Sequence, residues 1–339
     1  MTAVADQADR NRAGTLAADP TAETRTVEAR VPRVLTVDAI LNASAVRALT
    51  QKPRGAYCST GHYKLDRITG GLRPGFTWLV GADTSWGKSA LLLAIADVNL
   101  KARRRVLIVS SEDTEDVYGD RLMVRRSRVN AMRYRDGELW TEEKDKVAAV
   151  LERAEDVPVY VDARRWPIED LAPHLTKIIR EERIDVIAYD YIQEFRTKRK
   201  FQDERVKFRE IASVCRHIAK DAKIAGMLFS QLTLDEKTVI PNRRNIRECR
   251  DIANAAEVII IGFEPEKEIT DQRTGNKINA GTKCVFIDKV KNGPRGGKLA
   301  MDWDEESACF NTVPDPETER YERAMAAAGD LEPTGTEYR

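Results

Sequence analysis

Short apolar runs and amphipathic stretches alternate along the middle of the chain. The apolar runs are nearly continuous, whereas the stretches between them repeat their apolar positions at helical spacing. The pattern predicts strands over residues 76–82, 105–112, 157–163, 184–192, 225–232 and 257–263. It predicts helices over residues 88–100, 115–129, 141–156, 168–182 and 203–223, and a short helix near 245–255. Buried strands that alternate with helices are typical of a parallel α/β sheet.

Three further apolar runs follow at residues 282–290, 298–303 and 308–313, separated by short polar loops. Loops of that length join antiparallel neighbours, because a parallel connection needs a longer crossover. We therefore predict an α/β fold with a mostly parallel sheet, helices on both of its faces, and antiparallel strands at one edge.

The two ends of the chain lack this alternation. Residues 1–34 are predicted to be a disordered arm, and residues 314–339 a disordered tail. Residues 35–55 contain one amphipathic helix, centred on "LTVDAILNASAVRALT", which we interpret as a linker helix. Residues 56–313 then form the main domain.

Composition narrows the functional classes. The formal net charge is only +1, so any nucleic-acid binding must come from local basic patches. The five cysteines show no metal-ligand spacing, which favours reduced thiols. No apolar run approaches the ~18 residues of a membrane span, and the N-terminus has no signal-peptide core. We predict a cytoplasmic protein that does not enter a membrane.

The stretch "GADTSWGKSA" at residues 81–90 is the first candidate for chemistry. It lies between a predicted strand and a predicted helix, where backbone N–H groups and the helix dipole can hold a phosphate. In this interpretation Lys88 adds a positive charge and Ser89 ligates Mg²⁺. The alternative is an ordinary strand-to-helix turn. The predicted nucleotide-binding residues are Ala82, Asp83, Thr84, Ser85, Trp86, Gly87, Lys88 and Ser89.

Polar residues at three strand ends fit the other requirements of a nucleotide site. Asp190 closes an apolar strand and is predicted to act with Ser89 at the metal; the alternative is an exposed strand-end aspartate. Glu112 ends a strand expected next to the phosphate-loop strand and could polarise water. Gln231 ends another strand and could sense the γ-phosphate. The rivals of Glu112 are Asp113, Glu115 and Asp116, with Asp113 the main one.

These segments together resemble the motor domain of DnaB-like replicative helicases, within the RecA-like ATPases, over about residues 56–313. The resemblance rests on the entry segment with its phosphate loop and on "VSSED", "YDYIQ", "FSQL", "IRECRDIANAAEVIIIGF" and "DKVKNGPRGG". It implies that Glu112 is catalytic, that Asp190 and Gln193 belong to the aspartate signature, and that Ser230 and Gln231 form the sensor. ATP and Mg²⁺ are the implied cofactors.

Two departures from the family pattern fall at positions with expected roles. The family has Lys-x-Arg-Asn-Gly in its trans-acting segment, whereas this chain has Lys289-Val290-Lys291-Asn292-Gly293, so a lysine replaces the arginine finger. The resemblance implies catalytic roles for Lys289 and Lys291 across a subunit interface. Arg250 replaces a glycine of the family's DNA loop. Of the family's N-terminal region, which meets primase, only the predicted linker helix is recognisable.

Two basic runs follow the strands that end at Asp190 and Gln231. Lysines and arginines there can follow a phosphate backbone without reading sequence; the alternative for each run is a solvated surface. Phe195 and Phe201 could stack on bases or pack the loop. The predicted DNA-binding residues are Arg196, Lys198, Arg199, Lys200, Arg243, Arg244, Arg247, Glu248 and Arg250.

The resulting hypothesis is a ring-forming motor: an ATP-dependent helicase or translocase that acts on single-stranded DNA in replication. The implied partners are single-stranded DNA, further copies of the chain in a hexamer, and a primase or loader protein. The alternative is a RecA- or KaiC-like oligomeric ATPase that binds DNA or protein without unwinding. A small-molecule kinase is disfavoured because no acceptor site or lid is recognisable.

Overall fold

A computed structural model describes residues 58–152, 159–234, 240–246, 253, 256–271, 275–294 and 296–316. The predicted arm and linker helix lie outside the described residues, as do nearly all of the predicted tail and most of the short helix predicted near 245–255. None of the helices in the described part of the chain is long and apolar enough to cross a bilayer.

One large sheet of eight strands organises the protein. Its strands are β1 (Thr77–Ala82), β2 (Val106–Ser110), β3 (Val159–Asp162), β4 (Val186–Asp190), β5 (Ala225–Gln231), β6 (Val258–Phe263), β9 (Cys284–Val290) and β10 (Lys298–Ala300). They lie in the order β10-β9-β6-β1-β5-β4-β2-β3. The six strands from β6 to β3 in that order are parallel, and β9 and β10 add antiparallel pairs at one edge. The predicted sheet class is therefore confirmed.

Two small hairpins lie outside the main sheet. One pairs β7 (Ile269–Thr270) with β8 (Lys277–Ile278), and the other pairs β11 (Trp303–Asp304) with β12 (Cys309–Phe310). The apolar run at 298–303 therefore divides between β10 and β11, and the last run does not join the sheet edge.

Helices cover both faces of the sheet, as predicted. They are α1 (Tyr63–Thr69), α2 (Lys88–Lys101), α3 (Glu115–Ser127), α4 (Ala131–Asp136), α5 (Thr141–Glu152), α6 (Ile168–Glu181) and α7 (Glu204–Ala222). One hydrophobic cluster packs α6 and α7 against the sheet, and a second packs α2 against its other face. The central strands β1, β4 and β6 are buried along their whole length, which explains their continuous apolar sequence.

Two short helices were not predicted. The helices α1 and α4 have seven and six residues, which are too few to show a helical period. Local signals nevertheless mark the bounds of α4: the Asn130 side chain accepts hydrogen bonds from the first turn, and Gly137 ends the helix in the left-handed conformation.

The strand order corrects one expectation. The strand that leads to Glu112, β2, does not lie next to the phosphate-loop strand β1, because β5 and β4 lie between them. A strand–helix–strand connection fixes the direction and hand of the crossover, but it does not fix how many strand positions are skipped. The carboxyl ends of β1, β5, β4 and β2 nevertheless lie on the same side of the sheet. The candidate site lies at these strand ends.

Candidate nucleotide site and nucleic-acid interface

The predicted phosphate loop occupies the connection from β1 to α2. Gly87 precedes the first residue of α2 with φ of 105°, a conformation that favours glycine. A side chain at this position would also come within 3.3 Å of Phe310 and 3.4 Å of Trp303. The loop therefore turns tightly into the N-terminus of α2, the geometry that presents backbone N–H groups to an anion.

Trp86 anchors this loop from inside the protein. Its side chain is buried and packs on Phe310 with ring centroids 4.9 Å apart, and its Nε1 donates to the carbonyl of Phe263 at 3.2 Å. The space for the ring exists because residue 262 is glycine: a Cβ there would lie 2.5 Å from the indole. The sequence identified Trp86 as a loop member but gave no sign of this anchoring role.

Lys88 folds back over the loop. Its Nζ donates to the carbonyls of Ala82 at 3.2 Å and Asp83 at 3.0 Å. Burial lowers the pKa of the Lys88 ammonium, while the negative charges of Asp190 and Glu112 act to raise it. The ammonium is thus held against the backbone of the loop, where a point charge stabilises a bound phosphate.

Ser89 and Asp190, the two predicted metal ligands, are in direct contact. The Ser89 hydroxyl donates to Asp190 Oδ2 at 2.8 Å, and the buried hydroxyl of Tyr118 donates to the same oxygen at 2.7 Å. The other oxygen, Oδ1, is buried and has no hydrogen-bond partner among the described residues. Burial raises the pKa of Asp190, against the hydrogen bonds from Tyr118 and Ser89. A hydroxyl beside a carboxylate with an unsatisfied oxygen suits a hydrated Mg²⁺.

Glu112 stands at the mouth of the same pocket. The side chain is largely exposed, and partial burial of its carboxyl raises the pKa, which the charges of Asp113 and Asp190 raise further. Its rival Asp113 is paired with Arg121 at 2.5 Å, and Glu115 accepts a hydrogen bond from the N–H of Ala163 at 3.2 Å. These contacts commit two of the three competing carboxylates to neighbouring groups, which favours Glu112 as the base.

Gln193 joins the ends of β4 and β5. Its Nε2 donates to Ser230 Oγ at 2.7 Å, and its Oε1 accepts from the backbone N–H of Gln231 at 3.4 Å. Gln231 lines the pocket together with Lys88 and Glu112. A displacement of Gln231 would therefore be passed to the segment that follows Asp190.

The pocket around these residues has a volume of about 590 Å³, within the usual range of small-molecule sites. Its floor is the phosphate loop and the start of α2. Its far end is formed by α4 and the β11–β12 hairpin, which contribute Tyr134, Arg135, Trp303 and Ser307. The volume and the charged floor fit a nucleotide with its phosphates on the loop. Tyr118, Arg121 and the far-end residues were missed by sequence reasoning, because each belongs to a short or ordinary amphipathic segment.

Lys289 and Lys291 lie on the opposite side of the sheet from the pocket, at the ends where β1 and β6 begin. The Lys291 N–H donates to the carbonyl of Glu257 at 2.8 Å, and the Glu257 N–H donates to the carbonyl of Thr77, where β1 begins. Because β1 spans about 17 Å at ~3.3 Å per residue, Lys291 does not reach the phosphate loop of its own chain. Lys291 Nζ is 3.7 Å from the Glu257 carboxylate, and Lys289 Nζ donates to the carbonyl of Ala253 at 3.1 Å.

The first basic run is exposed, and part of its charge is paired. We call Arg196, Lys198, Arg199 and Lys200 the basic segment; all four are exposed. Lys198 pairs with Asp170, and Arg199 lies 3.9 Å from Glu210. Phe195 is buried against Tyr189 and packs the loop, so it is not available to stack on a base.

The second basic run is described only in part. Arg243 is half-buried and paired with Asp288, which ties it to β9, whereas Arg244 is exposed. Arg247, Glu248 and Arg250 lie outside the described residues. Their predicted contacts with DNA stay predictions.

Comparison with known proteins gives a consistent result. The family described as "DnaB-like helicase C terminal domain" matches residues 58–312. Among curated proteins, the chain is 25% identical over 243 residues to "Replicative DNA helicase DnaB" of Geobacillus stearothermophilus and 26% identical over 243 residues to "Replicative DNA helicase DnaC" of Bacillus subtilis (strain 168). Each alignment covers 70% of this chain and 52% of the relative, so the chain spans about half the length of these relatives.

Two solved structures share the fold. "The Structure Of A DnaB-Like Replicative Helicase And Its Interactions With Primase" has a TM-score of 0.71 and 17% identity, over 82% of this chain and 69% of that one. A solved ATPase domain has a TM-score of 0.70 and 18% identity, over 82% of this chain and 99% of that one. These likenesses confirm the RecA-like α/β fold expected from the motifs.

Proposed function

Because the chain belongs to the DnaB-like helicase C-terminal domain family, we propose that it is an ATP-dependent helicase or translocase that acts on single-stranded DNA in replication. The observation that carries the proposal is that Lys88, Ser89, Glu112 and Gln231 line one pocket, with Asp190 hydrogen-bonded to Ser89. Three of these residues come from different strand ends, and two come from the start of one helix. This grouping supports the role that we propose for each of them in nucleotide hydrolysis.

The proposed chemistry follows from the contacts of these side chains. The phosphate loop and Lys88 would hold the β- and γ-phosphates, and Ser89 and Asp190 would hold the metal. Mg²⁺ supplies charge neutralisation at the phosphates. Glu112, placed at the pocket mouth, orients the attacking water and accepts its proton. Gln231 contacts the γ-phosphate from the strand next to β1.

The proposed DNA interface joins this pocket through two strand ends. The basic segment follows β4, which carries Asp190, and the second basic run follows β5, which ends at Gln231. Nucleotide turnover and DNA binding would thus act on the same two strands. A ring of six copies would place these loops around a central channel, with Lys291 of each copy at the neighbouring nucleotide.

Three measurements on one preparation test the proposal: ATP hydrolysis, its stimulation by oligo-dT, and displacement of a strand from a forked duplex. We expect all three in the wild type and none in Lys88→Ala, because the phosphate loop then lacks its point charge. ATP hydrolysis with DNA binding but without strand displacement would instead support the RecA- or KaiC-like alternative. Hydrolysis that persists unchanged in Lys88→Ala would remove the basis of the proposal.

A further inference from the structure

Trp166 is a large aromatic side chain on the same side of the sheet as the nucleotide pocket, beyond the carboxyl end of β3. It lies in the loop from β3 to α6 and is 42% exposed. A single exposed aromatic residue is ordinary in a soluble protein. The surroundings of Trp166 distinguish it from an ordinary surface residue. Neighbouring side chains hold its ring in place, and basic side chains lie close to it in the fold.

The Trp166 ring packs against an arginine that a buried carboxylate holds in place. Asp162 at the end of β3 is only 4% exposed and accepts two hydrogen bonds from the Arg164 guanidinium, at 2.8 and 2.6 Å. The Arg164 guanidinium lies over the Trp166 ring, 4.5 Å from its centroid. The His174 ring is 5.6 Å from the indole. A ring held in this way loses little conformational entropy when a ligand stacks on it.

The same loop is joined to the basic segment. Pro167 forms a bridge with Arg196, and the N–H of Ile168 donates to the carbonyl of Arg196 at 2.9 Å. Trp166 therefore lies one residue from the point where the two segments pair. Within the part of the chain that the structure describes, Arg196 and Lys200 form no ion pair, unlike Lys198 and Arg199. Their charges remain available to an anionic ligand.

We infer that Trp166 is a stacking platform for an unpaired base of single-stranded DNA whose phosphates follow the basic segment. This inference rests on the proposed function. A strand with unpaired bases offers both an anionic backbone and exposed aromatic faces, and stacking on a side chain tolerates any base. A duplex keeps its bases stacked inside and has no free face for Trp166, so the site selects single strands.

The residue before Trp166 contacts the candidate catalytic segment. Nη2 of Arg165 donates to the backbone carbonyl of Glu112 at 3.0 Å. A base stacked on Trp166 would thus restrain a loop that touches Glu112 directly. Occupation of the platform has a short path to the nucleotide pocket, and stimulation of ATP hydrolysis by DNA is a second readout of the site.

The test compares an oligo-dT with an equally long abasic deoxyribose-phosphate oligomer, each titrated against the full chain over a range of salt. For Trp166→Ala we expect oligo-dT affinity to fall by roughly 5- to 150-fold, the range for loss of one stacked base. Affinity for the abasic oligomer should not change. The slope of log affinity against log salt should also stay the same, since no phosphate contact is removed. Trp166→Phe should retain most of the affinity.

Trp140 supplies the matched control. It is 64% exposed, and the Arg133 guanidinium lies 3.9 Å from its ring centroid, but it immediately precedes α5 and is not joined to the basic segment by any hydrogen bond among the described residues. Trp140→Ala should bind both oligomers like the wild type. Retained ATP binding and an unchanged unfolding midpoint in both alanine variants would show that each is folded.

Four results would overturn the inference. Equal loss of affinity for both oligomers would make Trp166 a structural support of the loop. Loss of the oligomeric state in Trp166→Ala would place the ring at a subunit contact. Unchanged oligo-dT affinity in Trp166→Ala would show that no base stacks there, although the proposed function would stand. A wild type that binds neither oligomer would instead contradict the proposed function as well.

Discussion

At the scale of single residues, two carboxylates at the pocket have different surroundings and therefore different expected roles. Asp190 is buried and receives hydrogen bonds from Ser89 and Tyr118, whereas Glu112 stands exposed at the pocket mouth. The first arrangement suits a fixed position at a metal, and the second suits contact with a water molecule. We therefore expect substitutions at the two positions to separate nucleotide binding from hydrolysis.

Glu112→Gln should bind ATP normally but hydrolyse it at least ~10²-fold more slowly, because the amide cannot accept the proton of the attacking water. Binding is measured with a fluorescent nucleotide, and turnover by phosphate release. Asp113→Asn is the matched comparison and should retain hydrolysis. If Glu112→Gln turned over normally while Asp113→Asn did not, the base would be Asp113.

The raised pKa of Glu112 predicts a pH dependence. Glu112 must be deprotonated to accept a proton, so turnover should be lost as pH falls through its pKa, at a pH above the ordinary glutamate value of 4.5. Asp113→Asn removes a negative charge and frees Arg121, and both changes lower the pKa of Glu112. The acid limb of turnover should then move to lower pH.

Asp116→Asn is the control for this shift, because Asp116 is exposed on α3 and is not among the charges that shift the pKa of Glu112. Its acid limb should coincide with that of the wild type. An identical limb in all three proteins would mean that a group other than Glu112 controls the profile.

Sequence reasoning identified the residues that carry a recognisable order along the chain and missed those that act through three-dimensional contacts. Lys88, Ser89 and Asp190 stand at a strand end or at a helix start, where a linear pattern marks them. Tyr118 is an aromatic residue in an amphipathic helix, and its sequence does not distinguish a core residue from a partner of Asp190. Arg165 follows β3 with no local signal, since its partner is a backbone carbonyl 53 positions away.

At the scale of elements, the phosphate loop depends on β6. Gly262 leaves space for the Trp86 ring, and a Cβ there would lie 2.5 Å from it. Because the ring is buried against Phe310, it cannot move aside without displacing the loop. Gly262→Ala should lower the free energy of unfolding by ~1–3 kcal/mol and also weaken ATP binding.

Gly226→Ala provides a comparison of similar severity. A Cβ at this position of β5 would lie 2.8 Å from the Ala219 Cβ on α7, a contact that does not involve the phosphate loop. It should lower stability in urea unfolding and leave ATP affinity, measured well below the unfolding transition, unchanged. Equal ATP affinity in the two variants would argue against the anchoring role of Trp86.

The sequence predicted which segments are strands and which are helices. It predicted less well which strands lie next to each other in the sheet. Strands buried on both faces, such as β4 and β6, have continuous apolar sequences that mark them clearly. The predicted position of β2 was wrong, because an apolar pattern records burial and not strand order. The β11–β12 hairpin was assigned to the sheet edge for the same reason: its two short strands carry no mark of the partner they pair with.

At the scale of the whole molecule, the position of Lys291 relative to the phosphate loop supports a role in trans. Lys291→Ala should keep its oligomeric state and lose most ATP turnover, because a charge that reaches the γ-phosphate from a neighbour is missing. Lys88→Ala should also be inactive. Mixed oligomers assembled from dissociated subunits of both variants should regain part of the activity, since some interfaces pair an intact phosphate loop with an intact Lys291.

The mixture is assayed for ATP hydrolysis, and mass measurement establishes that mixed oligomers have formed. Absence of any recovery in confirmed mixtures would exclude Lys291 as the trans residue. Lys289, whose Nζ donates to the carbonyl of Ala253, would then be tested in the same manner.

The phosphate loop and Lys291 lie at opposite ends of the strands of one sheet. This separation predicts how turnover per subunit depends on protein concentration. If the complete catalytic unit consists of two half-sites from different copies, turnover per subunit is not a constant of the chain but follows the assembled fraction. Diluting the protein through its dissociation range should lower turnover per subunit in step with the loss of oligomers seen by mass photometry. A chain with a self-contained site would give the same turnover per subunit at every dilution.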